Sequence, residues 1–136
     1  MRYLLLFLLV LGTSTASLAD IDIRVNGSFW ATIESDGDIR VNGSYVGQIE
    51  PDGDVRKDGS YVGQVEKDGD IRKNGSYYAV IETDGDLRIN GSYKARVEPD
   101  GTIRLNGSWW GSASNICGYE DIRKVAAVLI FFRDEF

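Results

Sequence analysis

Arginine returns every 16 residues along this chain, at Arg24, Arg40, Arg56, Arg72, Arg88 and Arg104. A strict repeat of that length constrains the fold more than any other feature, because each copy must build the same local unit and bury it on its neighbours. An aliphatic residue precedes every arginine (Ile23, Ile39, Val55, Ile71, Leu87, Ile103), and a Gly-Ser pair follows, from Gly27-Ser28 to Gly107-Ser108. Asn stands before that glycine in five copies and Asp58 in the other. An aromatic comes next (Phe29, Tyr45, Tyr61, Tyr77, Tyr93, Trp109), then Ala or Gly two positions on, then Ile or Val, with Ala113 in the last copy. Five Asp-Gly pairs, from Asp36-Gly37 to Asp100-Gly101, separate the copies.

The order aromatic, x, small, x, aliphatic has period two, which is the signature of a strand. Asn-Gly and Asp-Gly between such runs mark hairpin turns. Residues directly opposed in an antiparallel pair share a face, so Ile33 should oppose Ile39. That register requires a three-residue loop, Ser35-Asp36-Gly37, with Gly37 in the left-handed region. Pro51 and Pro99 fall at the first position of the equivalent loops, where the fixed φ of proline fits a type I turn. The same count predicts a three-residue loop at Val41-Asn42-Gly43 that opposes Ile39 to Tyr45. The recurring aromatics would then face the core, and the position after them (Trp30, Val46, Val62, Tyr78, Lys94, Trp110) would face outward.

Each unit is thus a short strand, Asp38-Ile39-Arg40, and a longer one from Ser44 to Glu50. There are six Asn/Asp-Gly turns but five Asp-Gly turns, and the missing one would join Ser112-Ala113-Ser114 to Asp22-Ile23-Arg24. The expected fold over residues 20–114 is all-β, a closed, flower-like ring of five to six 16-residue β-hairpin repeats, which removes exposed sheet edges. An open stack of hairpins is the alternative.

The tandem I-R-x-N-G-S-[YFW]-x-[GA]-x-[IV]-E-x-D-G units, with the apolar run from Lys124 to Phe132, resemble the five-fold beta-flower proteins, a family of small exported bacterial proteins. The resemblance spans essentially all of the chain after residue 19. It implies a flower-like β fold, an exported protein, and no assigned activity or functional residues. The family name implies five-fold symmetry, whereas the turns here count six units.

Residues 1–19 carry Arg2, an apolar run from Leu4 to Leu11 and the small-x-small site Ser17-Leu18-Ala19. This is the pattern of a cleaved secretory signal, and it predicts a periplasmic or cell-surface location. The run is about half of the roughly 20 residues a membrane span needs. Residues 115–136 place Glu120 and Asp121 early and Arg133 late, as a helix dipole favours. Val125 to Phe132 are apolar on every helical face, so such a helix must be buried. It is expected as a lid over the open face of the ring. The alternatives are a self-association or protein-docking segment presenting Val125, Val128, Leu129 and Phe132, a membrane dip, or a strand over Val128–Phe132. The single cysteine, Cys117, is either a small buried apolar residue or a free or intermolecularly bridged thiol.

The chain has no histidine and a net charge of −6. That excludes Ser-His and Cys-His nucleophiles, and it argues against a nucleic-acid partner, whose footprint is basic. The Asp36-Gly37-Asp38 copies look like calcium loops, but Ile39 and Arg40 stand where alternating oxygen ligands would be needed. Turn chemistry explains these aspartates, so no metal or cofactor is expected. The five Asn-Gly-Ser triplets match the N-glycosylation acceptor, but their turn geometry accounts for them. The carboxylates recur as equivalent copies, so none stands out as catalytic. The sequence therefore points to a non-catalytic exported β-repeat protein with a structural or protein-interaction role. The second reading is a carbohydrate-binding module whose candidate ligand patch is Trp30, Tyr78 and Trp110, gathered by ring closure.

Overall fold

The computed structural model describes residues 19–136. The expected leader lies outside the described residues except for Ala19. Twelve strands follow in six pairs. They are β1 (Ile21–Val25) with β2 (Ser28–Ile33), β3 (Asp38–Val41) with β4 (Ser44–Ile49), and β5 (Asp54–Lys57) with β6 (Ser60–Val65). The series continues with β7 (Asp70–Lys73) and β8 (Ser76–Ile81), β9 (Asp86–Ile89) and β10 (Ser92–Val97), and β11 (Thr102–Leu105) and β12 (Ser108–Ala113). Each strand pairs antiparallel with its sequence neighbours, and β12 pairs with β1, so the sheet is a closed barrel of six hairpin units.

The closing seam sets Ile23 against Ala113 and Arg24 against Ser112. Ser114 N–H donates to the Asp22 carbonyl at 2.9 Å, and Ser114 Oγ accepts from Asp22 N–H at 3.0 Å. Asn115 Nδ2 adds a bond to the Asp20 carbonyl. These bonds continue the ladder where the side chain of Ala113 is too small to match the Ile or Val of other copies.

The Asp-Gly loops have the expected form. Ile33 opposes Ile39, Glu34 N–H donates to the Asp38 carbonyl at 2.8 Å, and Gly37 sits at φ 95°. One oxygen of Asp36 accepts the Asp38 N–H at 3.0 Å and holds the turn.

The Asn-Gly loops differ from expectation. Asn42 (φ 50°) and Gly43 (φ 88°) are both left-handed, which makes a two-residue type I′ turn rather than a three-residue loop. Val41 therefore opposes Ser44 and Arg40 opposes Tyr45, while Ile39 opposes Gly47 across a bulge that absorbs Val46. The shift turns the recurring aromatics to the outside, contrary to the sequence reading. The position after them turns inward: Trp30 is 8% exposed and Trp110 7%.

The helix, α1 (Tyr119–Phe132), is likewise no lid. Val125, Ala126, Ala127, Val128 and Leu129 are all fully buried, and five successive residues go right round a helix of 3.6 residues per turn. The helix meets the wall along β4, β6 and β8. Tyr119 Oη donates to the Ile81 carbonyl, Arg123 Nη1 donates to the Glu66 carbonyl at 3.2 Å, and Phe131 and Phe132 lie where side chains at Gly63 and Gly47 would be. α1 therefore fills the lumen, packed against the inward Ile23, Ile39, Val55, Ile71, Leu87 and Ile103 of the wall. Its N-terminal end lies at the Asp-Gly rim and its C-terminal end at the Asn-Gly rim. The small residues at the middle of the long strands make room for this helix.

Candidate functional site

The outer wall carries the repeat's chemistry. Arg40 Nε donates to Glu34 Oε2 at 2.9 Å, and the same pair recurs as Arg56–Glu50, Arg72–Glu66, Arg88–Glu82 and Arg104–Glu98 at 2.8–3.2 Å. These partners are about a third exposed, so each pair adds little stability. Arg96 departs from the pattern: it pairs with Asp86 at 2.6 Å, a hydrogen bond that raises its pKa. The Asp100 carboxyl is held below its ordinary value by the N–H of Thr102.

Beside these arginines, at the Asn-Gly end of the wall, stand Phe29, Tyr45, Tyr61, Tyr77, Tyr93 and Trp109, each between 38% and 51% exposed. The type I′ turn creates this arrangement, because it pairs each aromatic with the outward arginine of its hairpin. Among the described residues, none of the six belongs to an aromatic pair or lies beneath a cation. Each keeps roughly two-fifths to one-half of its surface open to solvent. Counting the Asn-Gly loop as two residues would have exposed this belt in the sequence, since Ser44 then opposes Val41 and Tyr45 opposes Arg40.

The residues singled out from the sequence lie elsewhere. Trp30 and Trp110 close the Asn-Gly mouth from within, with the Arg133 guanidinium 5.0 and 5.2 Å from their rings. Arg133 also holds Glu135 through two hydrogen bonds of 3.0 and 2.6 Å, which lower the pKa of that carboxyl. Phe136 packs edge-on against Trp110 at 5.1 Å. Tyr78 is apart from them, half-buried with Lys73 Nζ 3.9 Å from its ring centroid. The three do not form one outward patch. Val125, Val128 and Leu129 are buried in the lumen, and Phe132 is partly buried at its mouth, so the expected docking surface is spent inside the molecule. Cys117 is an exposed free thiol rather than a buried one.

Four carboxylate triplets, Glu34-Asp36-Asp38 and its next three copies, bring oxygens within 4.8 Å of one another. In the first, Glu34 already carries the Arg40 pair and Asp36 the turn N–H, so folding uses these oxygens. At the Asp-Gly rim a cleft of about 510 Å³ lies between the start of α1 and the loops, lined by both signs of charge, including Asp52, Glu120, Asp121, Arg123 and Lys124. Burial beside it pushes the Tyr119 phenol above its ordinary pKa. No helix among the described residues is long and apolar enough to cross a membrane.

No protein-family model, curated protein or solved structure matches the chain.

Proposed function

We propose that this chain is a non-catalytic, exported β-repeat protein that binds other molecules through its outer wall at the periplasm or cell surface. The observation that carries the reading is the belt of six half-exposed aromatics repeated at one height around a closed barrel. Large exposed aromatics add little to folding and mark interaction surfaces when they recur together. The titratable groups of the wall come as copies engaged in ion pairs and turns, an arrangement suited to shape rather than to a reaction. The leader pattern of residues 1–19 and the resemblance to exported beta-flower proteins supply the location. With α1 enclosed, the wall replaces the C-terminal segment as the interacting region.

The test replaces Tyr45, Tyr61, Tyr77 and Tyr93 together by threonine, which keeps the β propensity of the strands. Expressed in a bacterial host, the full chain should be recovered outside the cytoplasm with its N-terminus at Asp20. The wild type should co-sediment with isolated cell envelopes, and the folded variant should not. Equal sedimentation of both proteins would sink the outer-wall reading.

A further inference from the structure

The seam between β12 and β1 differs from the other five junctions on the outside of the barrel. Ser114 stands where the other copies carry the glutamate that pairs with arginine. Arg24 therefore has no carboxylate within ion-pair distance among the described residues, whereas Arg40, Arg56, Arg72, Arg88 and Arg104 each have one. Arg24 is also the one arginine of the series that is exposed rather than half-buried. The belt changes here too: its four middle members are tyrosines, but Phe29 and Trp109 flank the seam, and Trp109 is the most exposed of the six at 51%.

The backbone puts these differences together. Arg24 opposes Phe29 on β2 and Ser112 on β12. Arg24 Nη1 reaches along the wall to the Gly27 carbonyl at 3.5 Å, and the adjacent Asn26 N–H is bonded to the carbonyl of Trp110, the neighbour of Trp109, at 2.9 Å. The guanidinium thus reaches towards the height of the belt, with Phe29 opposite Arg24 on β2 and Trp109 three positions before Ser112 on β12. Asp22, on the same face of β1, lies towards the opposite rim and is held by Thr32 Oγ1 at 2.9 Å.

We infer that this seam is a subsite for an acidic sugar within a polysaccharide, with Arg24 binding the carboxylate and Trp109 and Phe29 stacking on flanking sugar rings. The inference rests on the outer-wall reading above and names its ligand class. An aromatic face offers a negative quadrupole to the weakly positive C–H face of a pyranose. A guanidinium with no carboxylate partner of its own offers a fork matched to one from a ligand. On either side the arginines are neutralised by glutamate, so the wall suits a ligand with its anion at one position and uncharged rings beside it. Successive belt positions are two strands apart, about 10 Å at the backbone, and long saccharides span such distances. Nucleic acid needs a continuous cationic track that a chain of net charge −6 lacks. A flat bilayer would meet only one side of a belt that runs all the way round.

Calorimetric titration of the purified protein with oligogalacturonate, oligomannuronate and hyaluronan fragments, each beside its uncharged methyl ester, tests the inference. At least one acid form should bind about tenfold more tightly than its ester, the worth of one charge-assisted hydrogen bond. Arg24→Gln should abolish that preference, and Trp109→Ala should weaken acid and ester alike. Arg72→Gln, at a junction where glutamate holds the arginine, should change neither. Binding of none of the three acids, or a preference that survives Arg24→Gln, overturns the inference. If envelope co-sedimentation still depends on the tyrosines in that case, the outer-wall reading stands without the sugar. If that sedimentation is lost on protease treatment of the envelopes but not on glycan hydrolysis, the ligand is a protein and the inference falls.

Discussion

The two rims of the barrel are built from similar dipeptides, Asp-Gly at one and Asn-Gly at the other, yet glycine does different work at each. At the Asp-Gly rim the glycine belongs to the sheet. Gly37 is buried, its carbonyl accepts the Ile49 N–H at 2.8 Å, and an added Cβ would lie 2.2 Å from the Ile49 carbonyl oxygen. At the Asn-Gly rim the glycine only turns the chain: a Cβ on Gly43 would meet nothing within 4 Å. One rim is therefore locked by backbone packing, while the other is free to vary its surroundings. The aromatic belt and the lone arginine lie at the free rim.

Paired substitutions sharpen that contrast. Gly85→Ala combines a left-handed backbone at φ 96° with a Cβ 2.2 Å from the Val97 carbonyl oxygen. It should cost roughly 2–4 kcal/mol in urea denaturation, from left-handed strain plus overpacking. Gly75→Ala has the same kind of φ, 88°, and open space around it. It should cost about 1 kcal/mol, from strain alone. Equal costs would erase the distinction between the rims.

The ends of α1 extend the comparison. At the Asp-Gly rim Tyr119→Phe removes the hydrogen bond to the Ile81 carbonyl and should cost about 1 kcal/mol. Burial raises the pKa of this phenol, so the protonated form belongs to the folded state. Its contribution is complete below about pH 10, the ordinary tyrosine value, and is lost as pH rises through the raised folded value. Thermal melts at increasing alkalinity should therefore destabilise the wild type more steeply than Tyr119→Phe. At the Asn-Gly rim, Lys57 Nζ donates to the Phe131 carbonyl at 3.1 Å, a cation from the wall placed at the negative end of the helix. Lys57→Met keeps most of the stem and should cost only about 0.5 kcal/mol, read in the same denaturation assay.

The sequence resolved the Asp-Gly rim because two constraints agree there: Ile33 must share a face with Ile39, and proline occupies the first loop position at Pro51 and Pro99. Closure was legible from the single missing turn, and the structure fills it with the pairing of Ile23 to Ala113. The Asn-Gly rim misleads because its hidden variable is a bulge. Tyr45-Val46-Gly47-Gln48-Ile49 still alternates in sequence, although the extra residue at Val46 reverses which side the tyrosine faces. That one-residue shift exchanged the belt aromatics with Trp30 and Trp110, so the candidate surface was read as core and the core as surface. For α1, all-round apolarity correctly demanded burial, but it did not say that the ring had a lumen wide enough to hold a helix.

The enclosed helix has a consequence for the order in which the molecule assembles. Strand pairing inside the ring joins sequence neighbours, whereas the seam bond between Asp22 and Ser114 spans 92 positions. Local hairpins form fast and distant closure is slow, because the intervening chain must surrender its freedom first. A shut ring also offers no gap in its wall through which an apolar helix can enter from the side. Pairing of β12 with β1 therefore leaves only an end-on route through a mouth of the barrel, and a helix already seated at that moment is closed in by the wall on every side.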